Sequence, residues 1–486
     1  MYKPQKSEAE QQAFFNKSYD KFLQAKSATG EIDLYYRIAD TTVCLKFAGD
    51  RLIPFLTPAL DHLRLNNISN ADFTICIWDS ESTKIEMVPP PCTKDSFTDR
   101  GDIWGFNSRR TKAAFHWIEC SVNLVDFENN TGIYWIKTAD TLPYWVIASP
   151  LRTLFHWWME KNGCQLLHAA AVGTENGAVL ITGKGGVGKS TAALSCLQAG
   201  LFYTADDYVI TKLEPVPSVI SLYCTAKLNA DHVVNFPDLA RFIKNTEKLD
   251  QEKAVIFLNP HLGQKLITEM PLKAILTPQI VDHTDSHIKS VSRWDIQRAL
   301  SFTTMSQLPY VGCHTHEYIS KLASSLPHYI LETGNNFSRI PESISDFLSD
   351  LDNYSSINDI DPWSLYHKEE RPLVSVIIPV FNAEQFIGEA VENVLSQNYP
   401  ALEIIIINDG STDNSEAIIK NLPVDIRYFS QDNCGPSAAR NKGIQDASGE
   451  FITFLDADDL WPENNLNIMV DEMLNPSLTP FRTQLQ

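Results

Sequence analysis

The chain has no apolar run long enough to cross a membrane. Its longest, LVSVIIPVF and LEIIII, are strand-length, far short of the roughly 20 residues that a spanning helix needs. It has no signal-peptide core, because the start, MYKPQKSEAEQQ, is polar. It has no excess of basic charge: 40 lysines and arginines face 60 acidic residues, for a net charge of −20. That balance argues against nucleic acid and anionic membrane as main partners. The nine cysteines are scattered, odd in number and without a CxxC pair, which fits a reduced compartment better than a disulfide framework. These absences predict a cytoplasmic chain with no transmembrane segment. No internal repeat or low-complexity tract appears.

What is present is ordinary globular material, 44% apolar and 21% charged. At 486 residues, two or three domains are expected. Residues 1–30 read as a polar helix with Phe14, Phe15, Tyr19 and Phe22 as its apolar side. From 31 to 148 the pattern is strand-like: EIDLYYRIA, TTVCLKFA, ADFTICIW, KAAFHWIE, GIYWIKT and YWVIA. Residues 1–148 thus read as a helix plus a β-rich region, with no catalytic constellation. SPLRTLFHWWMEKNG (149–163) reads as a helix, with Trp157 and Trp158 as core. Strand, loop and helix then alternate, which predicts an α/β domain over 149–345. The stretch 346–371 is acidic, polar and aperiodic and reads as a linker. From Pro372 a second α/β pattern starts, with strands apolar throughout, as in a parallel sheet buried on both faces. The expected fold class is therefore α/β multidomain.

Gly183, Lys184, Gly185, Gly186, Val187, Gly188, Lys189 and Ser190 match G-x-x-x-x-G-K-[ST] in full, with Thr191 following. The strand-like GAVLIT precedes this P-loop and STAALSCLQAG follows it as a helix. Glycines let successive N–H groups converge on one anion, Lys189 can neutralise a β/γ-phosphate, and Ser190 can hold Mg²⁺. ATP with Mg²⁺ is the expected ligand. Asp206 and Asp207 follow Lys189 by 17 residues, at the end of the next predicted strand. One carboxylate can take a proton from an attacking hydroxyl and the other can bind the metal. His168 lies 15 residues before Gly183, in a strand expected to pair beside the loop strand.

LLHAAAVG, VLITGKGGVGKSTAALSCLQAG and the ADDYV run resemble the catalytic core of the HPr kinase/phosphorylase family. The resemblance implies that His168 tunes the base, Asp206 is the general base and Asp207 helps with the metal. It implies ATP-dependent phosphotransfer to a hydroxyl group. LEPVPSVISLYCTAKL stands where that family has a Glu-Arg-Gly-rich signature, so HPr itself is not carried over as the substrate. KGGVGKST also resembles the loop of ParA/MinD-type switch ATPases, in which Lys184 would act across a dimer.

PLVSVIIPVFNAEQFIGEAVENVLSQNYPALEIIIINDGSTDNS and NCGPSAARNKGIQDASGEFITFLDADDLWPE form a second motif set. Asp409 stands at a strand end, where it can accept the N–H edge of a nucleobase. Gly410 and Ser411 allow a sharp turn there. Pro379 and Asn382 mark the first strand's end. Asp456 and Asp458 flank Ala457, and period-2 spacing puts both carboxylates on one side for a hard divalent ion. Arg440 can approach a diphosphate. Together these segments resemble the donor-binding half of a family 2 glycosyltransferase of the Rossmann-like GT-A fold. The resemblance implies a nucleotide sugar, a UDP-sugar foremost, bound with Mn²⁺ or Mg²⁺. In that family an acceptor-binding half with the base follows, so 372–486 is expected to be truncated.

The expected function is a two-module transferase that uses ATP and a nucleotide sugar on a hydroxyl or sugar acceptor. The alternatives are a non-catalytic nucleotide and nucleotide-sugar binder, or a ParA/MinD-like switch in the loop domain. Cys313, His314 and His316 have metal-ligand residue types but read as a polar loop.

Overall fold

The computed structural model describes residues 6–351 and 371–474, apart from 67, 91–95, 99, 141, 260, 283, 292, 335 and 423. Two compact units divide the chain, Met1–Asn358 and Asp359–Gln486. Most of the expected linker, 352–370, lies outside the described residues, as does the chain from 475 on. The linker's first residues instead close a helix, Arg339–Ser349. Ile340, Ile344, Phe347 and Leu348 bury its apolar stripe, a spacing that begins before 346 and carries the helix past it.

The first unit opens with the expected helix, Glu8–Thr29. A capping box starts it: Ser7 Oγ accepts from the Glu10 N–H, and the Glu10 carboxylate accepts from the Ser7 N–H. Phe14, Phe15 and Phe22 are buried in one core with Trp78, Phe106 and Leu124, residues of an eight-stranded sheet. Its strands run in the order Arg64–Leu65, Glu31–Ile38, Thr41–Ala48, Phe73–Asp79, Thr131–Ile136, Ser121–Asp126, Thr111–His116 and Asp102–Asn107. Phe73–Asp79 is parallel to both neighbours, and the remaining pairs are antiparallel. The β-rich reading is thus realised, with one correction. YWVIA is a short helix, Tyr144–Ala148, with Pro143 at its N-cap. A five-residue apolar run does not distinguish strand from buried helix, and the preceding proline decides it.

The boundary expected at 148/149 runs through a shared core. The helix Arg152–Lys161 buries seven consecutive residues, Thr153–Met159, so no face of it is free to be a domain surface. Around Phe155 and Trp157, one hydrophobic cluster joins Tyr36, Ile75 and Tyr134 to Leu166, Ile210 and Tyr223. Trp158 stacks on Phe73 at 4.4 Å, as a core residue.

Beyond that helix lies a nine-stranded mixed sheet. Gly177–Ile181, the strand before the glycine loop, is antiparallel to Ala170–Thr174 and parallel to Glu269–Ile280. The run LFYTADDYVI splits into two strands of this sheet, Phe202–Ala205 and Val209–Lys212. Asp206 and Asp207 stand at the break, where Asp207 adopts φ +77°.

The second unit is a four-stranded, wholly parallel sheet in the order Arg427–Gln431, Leu402–Asp409, Val374–Val380, Phe451–Phe454. Val374, Val376, Ile378 and Val380 point into one core, while Ile377, Ile405 and Ile407 point into another. Helices on both faces, Ile387–Ser396 and Pro436–Asp446 among them, explain why these strands carry no polar alternation.

Candidate functional sites

In the first unit the glycine loop joins the strand Gly177–Ile181 to the helix Lys189–Gln198. Gly183, Gly186 and Gly188 take φ of +148°, +86° and +99°, which side-chain-bearing residues rarely adopt. The space over Gly185, Gly186 and Gly188 is open to 4 Å. Lys189 is buried, and its ammonium donates to the carbonyls of Gly183 at 2.7 Å and Lys184 at 3.1 Å. Burial pushes its pKa down. Thr191 Oγ1 lies 3.5 Å from His232 Nδ1.

Ser190 Oγ donates to Asp206 Oδ1 at 3.1 Å, which joins the loop to the aspartate pair. Asp206 is buried, its Oδ2 has no hydrogen-bond partner, and burial and the adjacent Asp207 push its carboxyl up. Asp207 is the opposite case. Lys227 Nζ lies 2.5 Å from Oδ2, Ser149 Oγ donates to Oδ2 at 3.2 Å, and His168 Nε2 lies 3.2 Å from Oδ1. Burial opposes ionisation, but Lys227 and His168 outweigh it and hold the Asp207 carboxyl far below the usual range. His168 therefore partners Asp207 and not the expected Asp206. It sits at a bend between Cys164–Leu167 and Ala170–Thr174, not within a paired strand. Lys227 and Ser149 were missed by the sequence reading, because they lie on elements distant from the loop in sequence.

In the second unit, Pro379, Phe381, Asp409, Arg440, Asp456 and Asp458 converge on a cleft of about 280 Å³. Asp409 is buried and already engaged. Oδ1 accepts from Gln431 Nε2 at 2.7 Å and the Cys434 N–H at 3.0 Å, and Oδ2 accepts from the Gly435 N–H at 2.7 Å. Burial opposes ionisation there, but these donors outweigh it and lower the pKa. Asp409 thus fixes the turn that opens the helix Pro436–Asp446. Gln431, Cys434 and Gly435 were missed; the signal was the N-C-G-P run, a turn followed by proline.

Asn382 and Ser411 are bonded to each other's loop and are not among the residues that line the cleft. The Asn382 N–H donates to Ser411 Oγ, and Asn382 Oδ1 accepts from the Thr412 N–H at 2.8 Å. Gly410 has φ +76°, and a Cβ there would meet Asn433 N at 2.8 Å. Arg440 pairs with Asp456 Oδ1. Asp456 and Asp458 both line the cleft, but not through strand alternation, since the strand Phe451–Phe454 has already ended.

Cys313, His314 and His316 lie at the start of a helix, Cys313–Ser325, not in a loop. His314 Nε2 is 2.8 Å from Glu160 Oε1, and His316 Nε2 is 3.3 Å from Gln297 Nε2. Among the described residues, no group of three or more His, Cys, Asp or Glu is placed to hold a metal.

Residues 375–479 match the family model described as glycosyl transferase family 2. This segment is similar to family 2 glycosyltransferases. The chain is 43% identical over 111 residues to an uncharacterized glycosyltransferase of Haemophilus influenzae, covering 22% of this chain and 44% of that protein. It is 38% identical over 111 residues to the putative teichuronic acid biosynthesis glycosyltransferase TuaG of Bacillus subtilis, with the same coverage. The chain spans less than half the length of these relatives. Among solved structures, the Pyrobaculum calidifontis mannosyltransferase PcManGT, in complex with GDP-Man and Mn²⁺, is 29% identical. That match covers 22% of this chain and 34% of that one, with a TM-score of 0.21. The Hpr(Ser) kinase/phosphatase of Coxiella burnetii is 12% identical and covers 39% of this chain and 96% of that one, with a TM-score of 0.22.

Proposed function

We propose that the chain is a two-module transferase whose second unit binds a nucleotide-sugar donor for glycosyl transfer. The observation that carries this reading is the convergence of Asp409, Arg440, Asp456 and Asp458 on one cleft at the carboxyl ends of parallel strands, where doubly wound sheets place their ligands. Two carboxylates suit a hard divalent ion that takes its remaining oxygens from a diphosphate. Asp456 and Asp458 would hold Mn²⁺ or Mg²⁺, which offsets charge on a leaving diphosphate. Arg440 must release Asp456 in part and turn to the diphosphate. Asp409 keeps the Cys434–Gly435 turn in place and has acceptor capacity left on Oδ2 for a base N–H such as that of uracil. Titration calorimetry with UDP-glucose, UDP-GlcNAc and GDP-mannose, each with Mn²⁺, tests this. Binding that needs Mn²⁺ and is lost in Asp458→Ala supports it; no donor bound by the wild type sinks it.

The first unit is proposed to use ATP in phosphoryl transfer to a hydroxyl group. The contact of Ser190 with Asp206 favours this over a switch ATPase, since it puts a buried, partly unpartnered carboxylate beside the loop. Asp206, with its raised pKa, is the general base. Ser190 would hold Mg²⁺, which screens the phosphate charges. Asp207, engaged by Lys227, Ser149 and His168, holds the site together instead of serving as a metal ligand. Transfer of label from γ-labelled ATP, lost in Asp206→Asn, is the test. Both donors are nucleotides of the cytoplasm, the proposed location. Among the described residues no helix is long and apolar enough to cross a membrane.

A further inference from the structure

A polar cavity of about 30 Å³ lies in the first unit, lined in part by Glu119, Ser121, Asn123, Tyr134, Ser149 and Arg152. The space admits about two water-sized groups, which matches the two oxygens of a carboxylate. Three observations give it a ligand chemistry. Ser121 Oγ and Tyr134 OH are buried without a hydrogen bond of good geometry, with Ser121 close to both Tyr134 and Glu119, an arrangement that a bound acceptor improves. Arg152 makes one hydrogen bond, from Nη1 to Tyr208 OH at 2.8 Å, and stacks over the Tyr208 ring at 5.0 Å. Among the described residues no carboxylate lies within ion-pair distance of it, and Asp207 and Glu119 act on its charge from beyond that distance, which leaves its guanidinium without a direct carboxylate partner. Finally, Ser149 is a wall of the cavity and donates to Asp207 Oδ2 at 3.2 Å. The cavity is therefore one side chain away from the aspartate pair. Its acid, Glu119, has its carboxyl pushed up by burial, so it opposes an anion less than an ordinary glutamate.

We propose that this cavity binds the carboxylate end of a small hydroxy acid, which presents its hydroxyl to the Asp206-Asp207 pair as the phosphoryl acceptor. The planar guanidinium of Arg152 matches a carboxylate. The acceptor role rests on the phosphotransfer reading above; the binding of the acid does not. In the transfer, the hydroxyl oxygen forms a bond to the γ-phosphorus as the bond to ADP breaks. The hydroxyl proton passes to Asp206.

The test is calorimetry on the full chain with D-glycerate, L-lactate, glycerol and glycerol 3-phosphate, with ATP affinity measured separately. Expected is binding of at least one of the two hydroxy acids, at least tenfold tighter than glycerol and glycerol 3-phosphate. Arg152→Met should weaken that binding at least tenfold. Ser121→Ala, a smaller change, should weaken it several-fold and keeps the test decisive if the arginine variant does not fold. Equal binding of acid and neutral triol, preference for the phosphate ester, no binding of either acid, or unchanged affinity in both variants overturns the proposal. Acid binding without ATP binding upholds the cavity and removes only the acceptor role.

Discussion

Lys227 Nζ donates to Asp207 Oδ2 across 2.5 Å, in a site where neither side chain is more than 15% exposed. Lys227 is the foremost of the groups that hold the Asp207 carboxyl down against burial. Removing one partner of a buried pair leaves the other charge uncompensated and costs about 3–5 kcal/mol. Lys227→Met should therefore lower the stability of the first unit by that order, read from its denaturant midpoint. The double variant Lys227→Met/Asp207→Asn should recover a large part of the loss, because no lone charge remains. If Lys227→Met leaves the midpoint unchanged, the pair is not the strut described here.

The two aspartates should separate in their effects. Asp206 is buried with a raised carboxyl and a free Oδ2, so Asp206→Asn removes an uncomfortable acid without breaking an ion pair. It should keep or slightly raise stability, and it should lower phosphotransfer by about 10²–10⁴-fold. Lys184→Ala should leave ATP turnover nearly intact in the kinase-like reading and abolish it in the switch-ATPase reading. A rate assay on both variants, alongside thermal unfolding, decides between them.

How much of this was legible in the sequence depended on range. The second unit's sheet is written locally: LVSVIIPV and LEIIII are apolar throughout because both faces are covered, and the glycine loop is contiguous. Short apolar runs were not legible, since YWVIA carries no period and Pro143 alone turns it into a helix. Neither was the shared core around Phe155 and Trp157, which depends on packing between distant elements. The same limit applies to the sites. The spacing brought Ser190, Asp206, Asp207 and His168 to one place, but which aspartate His168 meets depends on the φ +77° turn at Asp207. Asp409 was placed in its cleft, while its three internal donors come from 431–435, a loop whose path the sequence does not fix.

Gly410 ties the second unit's backbone to its cleft. Alanine there must adopt φ +76° and push against Asn433 N at 2.8 Å. The left-handed backbone alone costs about 1–2 kcal/mol. The displaced Asn433 lies next to Cys434 and Gly435, whose N–H groups Asp409 holds. Gly410→Ala should therefore destabilise the second unit by at least that amount and weaken donor binding, while Gly388→Ala, with open space at its Cβ, should do neither. Calorimetry and unfolding on the two variants check this.

Acid should unfold the two units at different pH. In the first unit, burial lowers the imidazoles of His62, His116 and His156 from 6.5 to about 4. Each folded pKa lies below the unfolded one, so below pH 6.5 the unfolded chain binds more protons and stability falls as pH falls toward 4. Each imidazole contributes on the order of 1–3 kcal/mol to that loss. Glu160 adds to it lower down: burial opposes its ionisation, but His156, His314 and Lys112 outweigh this and bring it to about 2. The second unit has no histidine from Arg371 onward. Its depressed groups are carboxylates, Asp409 among them and Glu403 foremost, where Ser375, Ser448 and Arg427 outweigh burial and bring the carboxyl to about 2. That contribution is full above pH 4.5 and is lost only between 4.5 and 2. Denaturant midpoints measured from pH 7 to 3 should therefore fall first for the first unit, beginning near 6.5. Replacing His156 with glutamine should flatten the first part of that slope, whereas a common onset for both units near pH 4.5 would show that the buried imidazoles do not govern it.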